Sequence, residues 1–94
     1  MIIVLLSYTA PLEVLDQHAP AHMAWLNEAY AAGHLLASGR KVPRTGGMLL
    51  VRGDLDAAKA WAATDPFAIN GVAEYSFTDV DVRQTAEGLE GLKV

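Results

Sequence analysis

The sequence predicts an α+β fold in which an antiparallel four-stranded sheet carries two helices on one face. Short apolar runs rich in branched side chains indicate strands, longer stretches place apolar residues at helical spacing, and these segments follow the order β-α-β-β-α-β. A chain of 94 residues fits one domain, which we expect to span residues 1–94 with a C-terminal tail at 84–94.

The first half of the chain predicts a strand, a helix and a second strand. The run IIVLLSY, residues 2–8, is apolar on both alternating faces, as in a strand covered on both sides. Proline donates no backbone hydrogen bond, so Pro20 either kinks the helical segment that follows or lies in the first turn of a new helix. Gly33 is expected to end this helix in a left-handed conformation, and residues 34–41 form strand two.

The second half predicts a strand, a helix, a short helical turn and a last strand. Residues 48–53 are strand three, and Asp54 is a good N-cap for the alanine-rich helix after it. Asp65 lies at a break because Pro66 follows it. Residues 72–83 form strand four, whose apolar residues change face and so indicate a bulge or a strand end. The residues that show this change are Tyr75, Phe77, Val80 and Val82.

The composition limits the classes of function. A net charge of −4 disfavours nucleic-acid binding, and the lack of cysteine excludes disulfides, cysteine metal sites and thiol nucleophiles. No apolar run approaches the ~18 residues of a transmembrane helix, and the apolar N-terminus lacks the positive charges of a signal peptide. We therefore expect a cytoplasmic protein without a membrane or nucleic-acid partner.

The apolar content predicts a second copy of the chain as partner. Hydrophobic residues make up 52% of the sequence, which is high for so small a domain. Strands one and three are apolar on both faces, although the helices cover only one face of the sheet. We expect a homodimer formed by sheet-on-sheet packing, and further assembly into a higher oligomer stays open.

His22 is the first candidate for chemistry, because it shares a helical face with Leu26 and Ala29. A histidine on such a face can be a half-buried residue whose nitrogens are satisfied locally. It can also be a general acid or base, which needs a carboxylate that orients the ring and stabilises its charged form.

Asp65 is the candidate partner of His22. The pair Asp65-Pro66 is common at the start of a helical turn, with the aspartate as N-cap. The two roles are compatible, because one carboxylate oxygen can cap the turn while the other meets a histidine.

Metal and nucleophile motifs give weaker signals. His18 and His22 are four residues apart, a spacing that suits two ligands, but no third ligand is visible and Pro20 lies between them. The sequence contains neither a nucleophile elbow nor a phosphate-binding loop. We expect no metal and no cofactor, and His34 is expected to be exposed.

A further group of residues could line a substrate cleft beside His22: Tyr8, Trp25, Ser38, Gly39, Arg40 and Phe67. The basic residues Arg40, Lys41 and Arg44 form either a solvated loop or an anion-attracting lip of that cleft. Trp25 is either a core residue or part of the pocket wall.

Two phrases resemble the YCII-related family, over residues 1 to about 83. They are AHMAWLNEAYAAGHLLASGR, with its histidine, and AAKAWAATDPFAINGVAEYSF, with its Asp-Pro-Phe and Gly-Val. The resemblance implies a ferredoxin-like fold that pairs into a dimeric α+β barrel. It also implies a histidine–aspartate dyad, which falls on His22 and Asp65. The loop RKVPRTGG is shorter than in many relatives, so the resemblance does not identify the substrate.

These observations predict acid–base chemistry on a small, anionic or phenolic substrate. One branch of the family is similar to enzymes that remove chloride from chlorinated hydroxyquinols, so a lyase- or hydrolase-type reaction such as elimination, isomerisation or hydrolysis is expected. Two alternatives stay open: a non-catalytic module for small-molecule binding or dimerisation, and a cofactor-free monooxygenase of the kind the barrel fold also hosts.

Overall fold

The computed structural model describes residues 1–94, and its four strands form one antiparallel sheet with the strand order β2-β3-β1-β4. The strands are β1 (Ile2–Tyr8), β2 (Leu35–Arg40), β3 (Gly46–Val51) and β4 (Ala73–Asp79). The two most apolar strands, β1 and β3, are the central ones, where both faces are shielded most. The predicted α+β order β-α-β-β-α-β is confirmed.

Three helices lie on one side of this sheet: α1 (Leu12–Ala31), α2 (Leu55–Ala62) and α3 (Pro66–Ile69). A short 3₁₀ turn, Glu90–Leu92, lies in the C-terminal tail. The long helix α1 connects β1 to β2, and α2 with α3 connects β3 to β4. Each connection passes over one intervening strand, which is why neighbouring strands are all antiparallel.

α1 is one continuous helix of 20 residues, although Pro20 lies inside it. A new helix starting at Pro20 is therefore wrong. Pro20 leaves the carbonyl of Asp16 without its usual partner, but both residues are exposed and water can hydrate that carbonyl. The helix ends as predicted, because Gly33 has φ +79° and the amide of His34 donates to the carbonyl of Ala29.

The core lies between the sheet and the helices. Alternate residues of β1, namely Ile2, Val4 and Leu6, are buried on the helix side, in register with Val51, Leu49 and Gly47 of β3. Leu15, Leu26 and Ala29 of α1 and Phe67 of α3 belong to the same buried cluster. This packing fixes the face of α1 that carries His22, four residues before Leu26.

The other face of the sheet is apolar but only partly covered. Leu5 is 41% exposed, and its neighbours Ile3, Met48 and Leu50 are half-buried. A homodimer that covers this face remains a prediction. None of the helices is long and apolar enough to cross a membrane.

Several element boundaries differ from the predicted ones. β3 begins at Gly46, where a side chain would overlap the carbonyl of Leu6, so the backbone approach requires glycine. β4 ends at Asp79, which pairs with Ile2 at the start of β1. Beyond this pair, the amide of Val80 still donates to the carbonyl of Met1 at 2.9 Å. The irregularity in the sheet lies in β2, between Leu35 and Ala37.

The tail at 84–94 turns back toward the start of the chain. The ammonium group of Met1 donates to the carbonyl of Val94 at 2.7 Å and to that of Val80 at 3.0 Å. His34 is half-buried, with its ring edge-on to Trp61 at 4.6 Å, so the expected exposure of His34 is wrong.

Candidate active site

The carboxylate of the site comes from the N-cap of α3. Asp65 has extended backbone angles (φ −61°, ψ 130°), Pro66 opens the helix, and the amide of Phe67 donates to Asp65 Oδ1 at 3.0 Å. Proline fits the first helical position because its φ suits a helix and its missing amide has no partner there. The predicted cap at Asp65 is therefore confirmed.

His22 of α1 meets this carboxylate across 43 residues of sequence. Its Nδ1 lies 2.7 Å from Asp65 Oδ1. The side chain of Asp65 is fully buried, whereas that of His22 is 13% exposed. A carboxylate only accepts hydrogen bonds, so the proton of a neutral ring resides on Nδ1 and Nε2 is left with a free lone pair.

A third donor completes the environment of Asp65. The hydroxyl of Tyr75, on the helix side of β4, donates to Asp65 Oδ2 at 2.6 Å. Oδ1 accepts hydrogen bonds from both the Phe67 amide and His22. One oxygen thus serves both roles, which corrects the expectation that the cap and the histidine use different oxygens. Three donors replace the water that a fully buried carboxylate has lost.

Tyr75 acts only as a donor in this arrangement. Burial first, and then the hydrogen bond to Asp65 and its negative charge, raise the pKa of Tyr75 well above its ordinary value. The sequence pattern places Tyr75 on a sheet face beside Phe77 but does not predict this role. The available signal was its inward position in the strand, since a buried tyrosine hydroxyl usually needs a partner.

Aromatic packing fixes the plane of the imidazole. The ring of Phe67 stacks on that of His22 with 4.0 Å between centroids and 11° between planes. Trp25 lies beside the His22 ring at 5.8 Å. Two residues of one short segment, Asp65 and Phe67, thus hold the histidine by its nitrogen and by its face.

His22 lines a cavity of about 280 Å³ between α1 and the sheet. Of the predicted cleft residues, the structure brings five to this lining: Tyr8, Ser38, Gly39, Arg40 and Phe67. The apolar part of the wall consists of Leu6, Ala19, Met23, Leu26, Met48 and Leu49. The cavity is therefore largely apolar with a few polar groups, which is typical of small-molecule sites.

Trp25 is the predicted cleft residue that does not line this cavity. It stacks on Trp61 at 4.0 Å, and its Nε1 donates to Thr64 Oγ1 at 2.9 Å. Together with His34, these residues border a second depression. Trp25 thus belongs to a pocket wall, but to a different pocket.

The cavity also contains Arg44, which sequence reasoning left between a solvated loop and an anion-attracting lip. One amino group of its guanidinium donates to Asp16 Oδ1 at 2.7 Å, and this hydrogen bond raises the pKa of Arg44. The neighbouring Lys41 does not line the cavity, and its Nζ donates to Ser7 Oγ at 3.2 Å. The three basic residues therefore separate into two in the wall and one outside it.

The arrangement is suited to moving a proton. His22 lines the cavity while Asp65 holds its Nδ1, and a histidine oriented by a carboxylate in this way can act as a general acid or base. Nowhere in the chain do three histidine, aspartate or glutamate side chains lie close enough together to hold a metal ion.

Comparison with solved structures shows what the fold is similar to. The chain resembles the 5-chloro-2-hydroxyhydroquinone dehydrochlorinase TftG from Burkholderia phenoliruptrix, solved in complex with 2,5-dihydroxybenzoquinone. The TM-score is 0.71, and the match covers 85% of this chain and 93% of that chain at 19% sequence identity. At this identity the likeness shows the fold alone, which is the ferredoxin-like α+β fold.

Comparison of sequences places the chain in a family. No curated protein matches it. The pattern of the YCII-related domain, however, matches residues 1–81, which is most of its length. The chain therefore belongs to the YCII-related family.

Proposed function

We propose that this protein is a small-molecule enzyme that transfers protons with a His22–Asp65 dyad. The chemistry is elimination, isomerisation or hydrolysis on a small phenolic or anionic substrate, and loss of halide from a phenolic ring is one such reaction. The fold shared with a dehydrochlorinase and the family membership support this class of chemistry. The reaction needs no cofactor in this proposal.

One observation carries the proposal: a fully buried aspartate bonds to a histidine that lines the cavity. Burying a carboxylate is costly, and capping the four-residue helix α3 does not require it. A partner that fixes the imidazole tautomer and stabilises the imidazolium explains the position of Asp65.

Each residue then has a defined role. His22 Nε2 takes a proton from the substrate or returns one to it, while Asp65 holds the ring and stabilises its charged form. Tyr75 and Phe67 fix the carboxylate and the ring plane, respectively. Proton transfer by such a positioned group contributes roughly 10²–10⁴-fold to a rate.

A turnover screen of halogenated and hydroxylated phenols with the wild type and Asp65→Asn tests the dyad. Asparagine can keep an oxygen toward His22 and Phe67 and turn its amide toward the Tyr75 hydroxyl, so this change removes the charge and spares the geometry. We expect Asp65→Asn to lower the turnover rate roughly 10²–10⁴-fold, because the imidazolium that forms during proton transfer loses its charged partner. Asp54→Asn is the matched control, because Asp54 caps α2 away from the site.

Unchanged turnover in Asp65→Asn would reduce Asp65 to a cap. In the same screen we expect His22→Ala to lose turnover, whereas a non-catalytic binding module would show no turnover in any of the proteins.

We also propose that the protein works as a homodimer whose interface is the open sheet face. Leu5 and Leu12 are equally exposed, at 41% and 42%, but Leu5 lies in that face and Leu12 in the first turn of α1. Sedimentation velocity should give a dimer for the wild type and for Leu12→Asp, and a monomer for Leu5→Asp. A dimer in all three proteins would place the interface elsewhere.

A further inference from the structure

The charge of the cavity wall differs in sign from that of the chain. The protein has a net charge of −4, yet the 14 residues of the lining include two arginines, one histidine and no carboxylate. Asp65 lies behind the His22 ring and is not part of the wall. Such a local excess of positive charge in a largely apolar cleft favours an anionic ligand.

Arg44 has hydrogen-bonding capacity that the protein does not use. One terminal nitrogen of its guanidinium donates to Asp16, but its Nε is buried and has no partner. The hydrogen bond to Asp16 uses only one of the several N–H groups of the guanidinium, and an arginine in a cavity wall can donate others to an acceptor that a ligand supplies. The other arginine of the wall, Arg40, forms no ion pair with the protein.

The rest of the wall limits the shape of the ligand. Around the arginines and His22, the cavity is bordered by leucine, methionine, phenylalanine and tyrosine side chains. A cavity of about 280 Å³ with such a border suits a single small ring better than a long polar chain.

We propose that Arg44, assisted by Arg40, forms an anion subsite, and that the cavity binds a small aromatic ring as its oxyanion, of the phenolate class. The anionic oxygen lies at the guanidinium of Arg44, and the ring extends along the apolar wall toward His22. This inference deepens the proposed function and rests on it for the fate of the ligand, although binding itself does not require the dyad.

In the competing explanation, Arg44 has only a structural role: its ion pair with Asp16, at 2.7 Å, holds the β2–β3 loop against α1. The two explanations predict opposite changes in ligand affinity for Asp16→Asn. If Arg44 is structural, losing the ion pair loosens the loop and weakens the binding of any ligand. If Arg44 belongs to an anion subsite, releasing its guanidinium from a carboxylate strengthens the binding of an anion.

The probe is 4-nitrophenol, whose phenolate absorbs visible light and whose neutral form does not. We titrate it with protein at the pH where half of the free probe is ionised. A subsite for the oxyanion increases the phenolate band on binding, because the site stabilises the charged form. Nitrobenzene, which has the same ring and no ionisable oxygen, should bind at least tenfold more weakly.

The variants assign the effect to Arg44. We expect Arg44→Gln to weaken 4-nitrophenol binding by roughly ten- to a hundredfold, the range of a charge-assisted hydrogen bond, and to abolish the increase in the phenolate band. Asp16→Asn should tighten binding severalfold. Lys41→Gln removes the same charge from the same loop but outside the cavity wall, so it should change the affinity less than twofold.

Four results would overturn the subsite: no binding by the wild type at millimolar probe, a decrease in the phenolate band, equal effects of Arg44→Gln and Lys41→Gln, or weaker binding by Asp16→Asn. Thermal melting of each variant shows whether it is folded. Binding of 4-nitrophenol requires no turnover, so the dyad and the subsite can fail independently of each other.

Discussion

Asp54 and Asp65 are both aspartates that cap a helix, yet the first is exposed and the second is fully buried. Each precedes a helix, and each accepts a hydrogen bond from a backbone amide of the first turn, at 2.7 Å for Asp54 and 3.0 Å for Asp65. The side chain of Asp54 makes no other hydrogen bond. Asp65 is fully buried and also receives hydrogen bonds from His22 and Tyr75.

The comparison shows that a local motif determines the cap but not the additional role. Either aspartate satisfies the helix that follows it. Only the segment that packs under α1 and beside β4 brings a histidine and a tyrosine to the remaining positions of the carboxylate. Burial and convergent donors, rather than the Asp-Pro sequence, therefore distinguish the candidate catalytic aspartate from the ordinary one.

Alanine at the two positions should give the largest difference. Asp54→Ala removes a cap and should lower the free energy of unfolding by about 1 kcal/mol. Asp65→Ala also leaves buried donors on His22 and Tyr75 without an acceptor, so we expect a loss of roughly 3–5 kcal/mol. Urea unfolding monitored by circular dichroism measures both, and equal losses would mean that Asp65 is only a cap.

Removing the hydroxyl of Tyr75 tests the third donor. Tyr75→Phe deletes a hydrogen bond to a buried carboxylate and should cost roughly 1.5–3 kcal/mol in free energy of unfolding. Tyr30→Phe is the matched control, since the Tyr30 hydroxyl bonds to Ser38 at 2.7 Å in an exposed position. The control should lose at most about 1 kcal/mol. A Tyr75→Phe protein as stable as the control would exclude Tyr75 from the network.

Alkaline pH should reveal the same contact. Burial and Asp65 raise the pKa of Tyr75, so the folded protein keeps a proton that the unfolded chain releases above about pH 10. The unfolded state then binds fewer protons, and the free energy of unfolding falls as pH rises, by about 1.4 kcal/mol per pH unit. Tyr75→Phe should remove this part of the slope, whereas Tyr30→Phe should retain it.

Asparagine at Asp54 should give the smallest effect. Asparagine caps helices about as well as aspartate, so Asp54→Asn should change the free energy of unfolding by only a few tenths of a kcal/mol. A larger loss in thermal or urea unfolding would show that the charge of Asp54 also matters, and the contrast with Asp65 would be weaker than the structure indicates.

The sequence predicted what depends on neighbouring residues. The caps at Asp54 and Asp65, the left-handed Gly33 and the apolar strand β1 follow from steric and hydrogen-bonding preferences of a few consecutive residues. The pairing of His22 with Asp65 was proposed from the chemistry of the two residues and supported by the resemblance to a family, because nothing local connects residues 43 positions apart.

Features set by tertiary packing were not predictable in this way. Pro20 lies within a helix because packing on both sides of it outweighs one lost hydrogen bond. β4 ends at Asp79, opposite the first residue of β1, although the sequence beyond it stays suited to a strand. Tyr75 and Arg44 reach the site only through the arrangement of the sheet and its loop.

The stacking of Phe67 on His22 gives the dyad a magnetic signature. Ring protons held 4.0 Å above an aromatic face are shielded by its ring current, so the His22 resonances should lie upfield of their usual positions. His34 meets Trp61 edge-on, at 85° between planes, and so senses a different part of such a field. The three histidines of the chain should therefore be distinguishable in one proton spectrum. Collapse of the His22 shift in Asp65→Ala, which leaves the Phe67 ring in the sequence, would report without any ligand that the imidazole has left its place on Phe67.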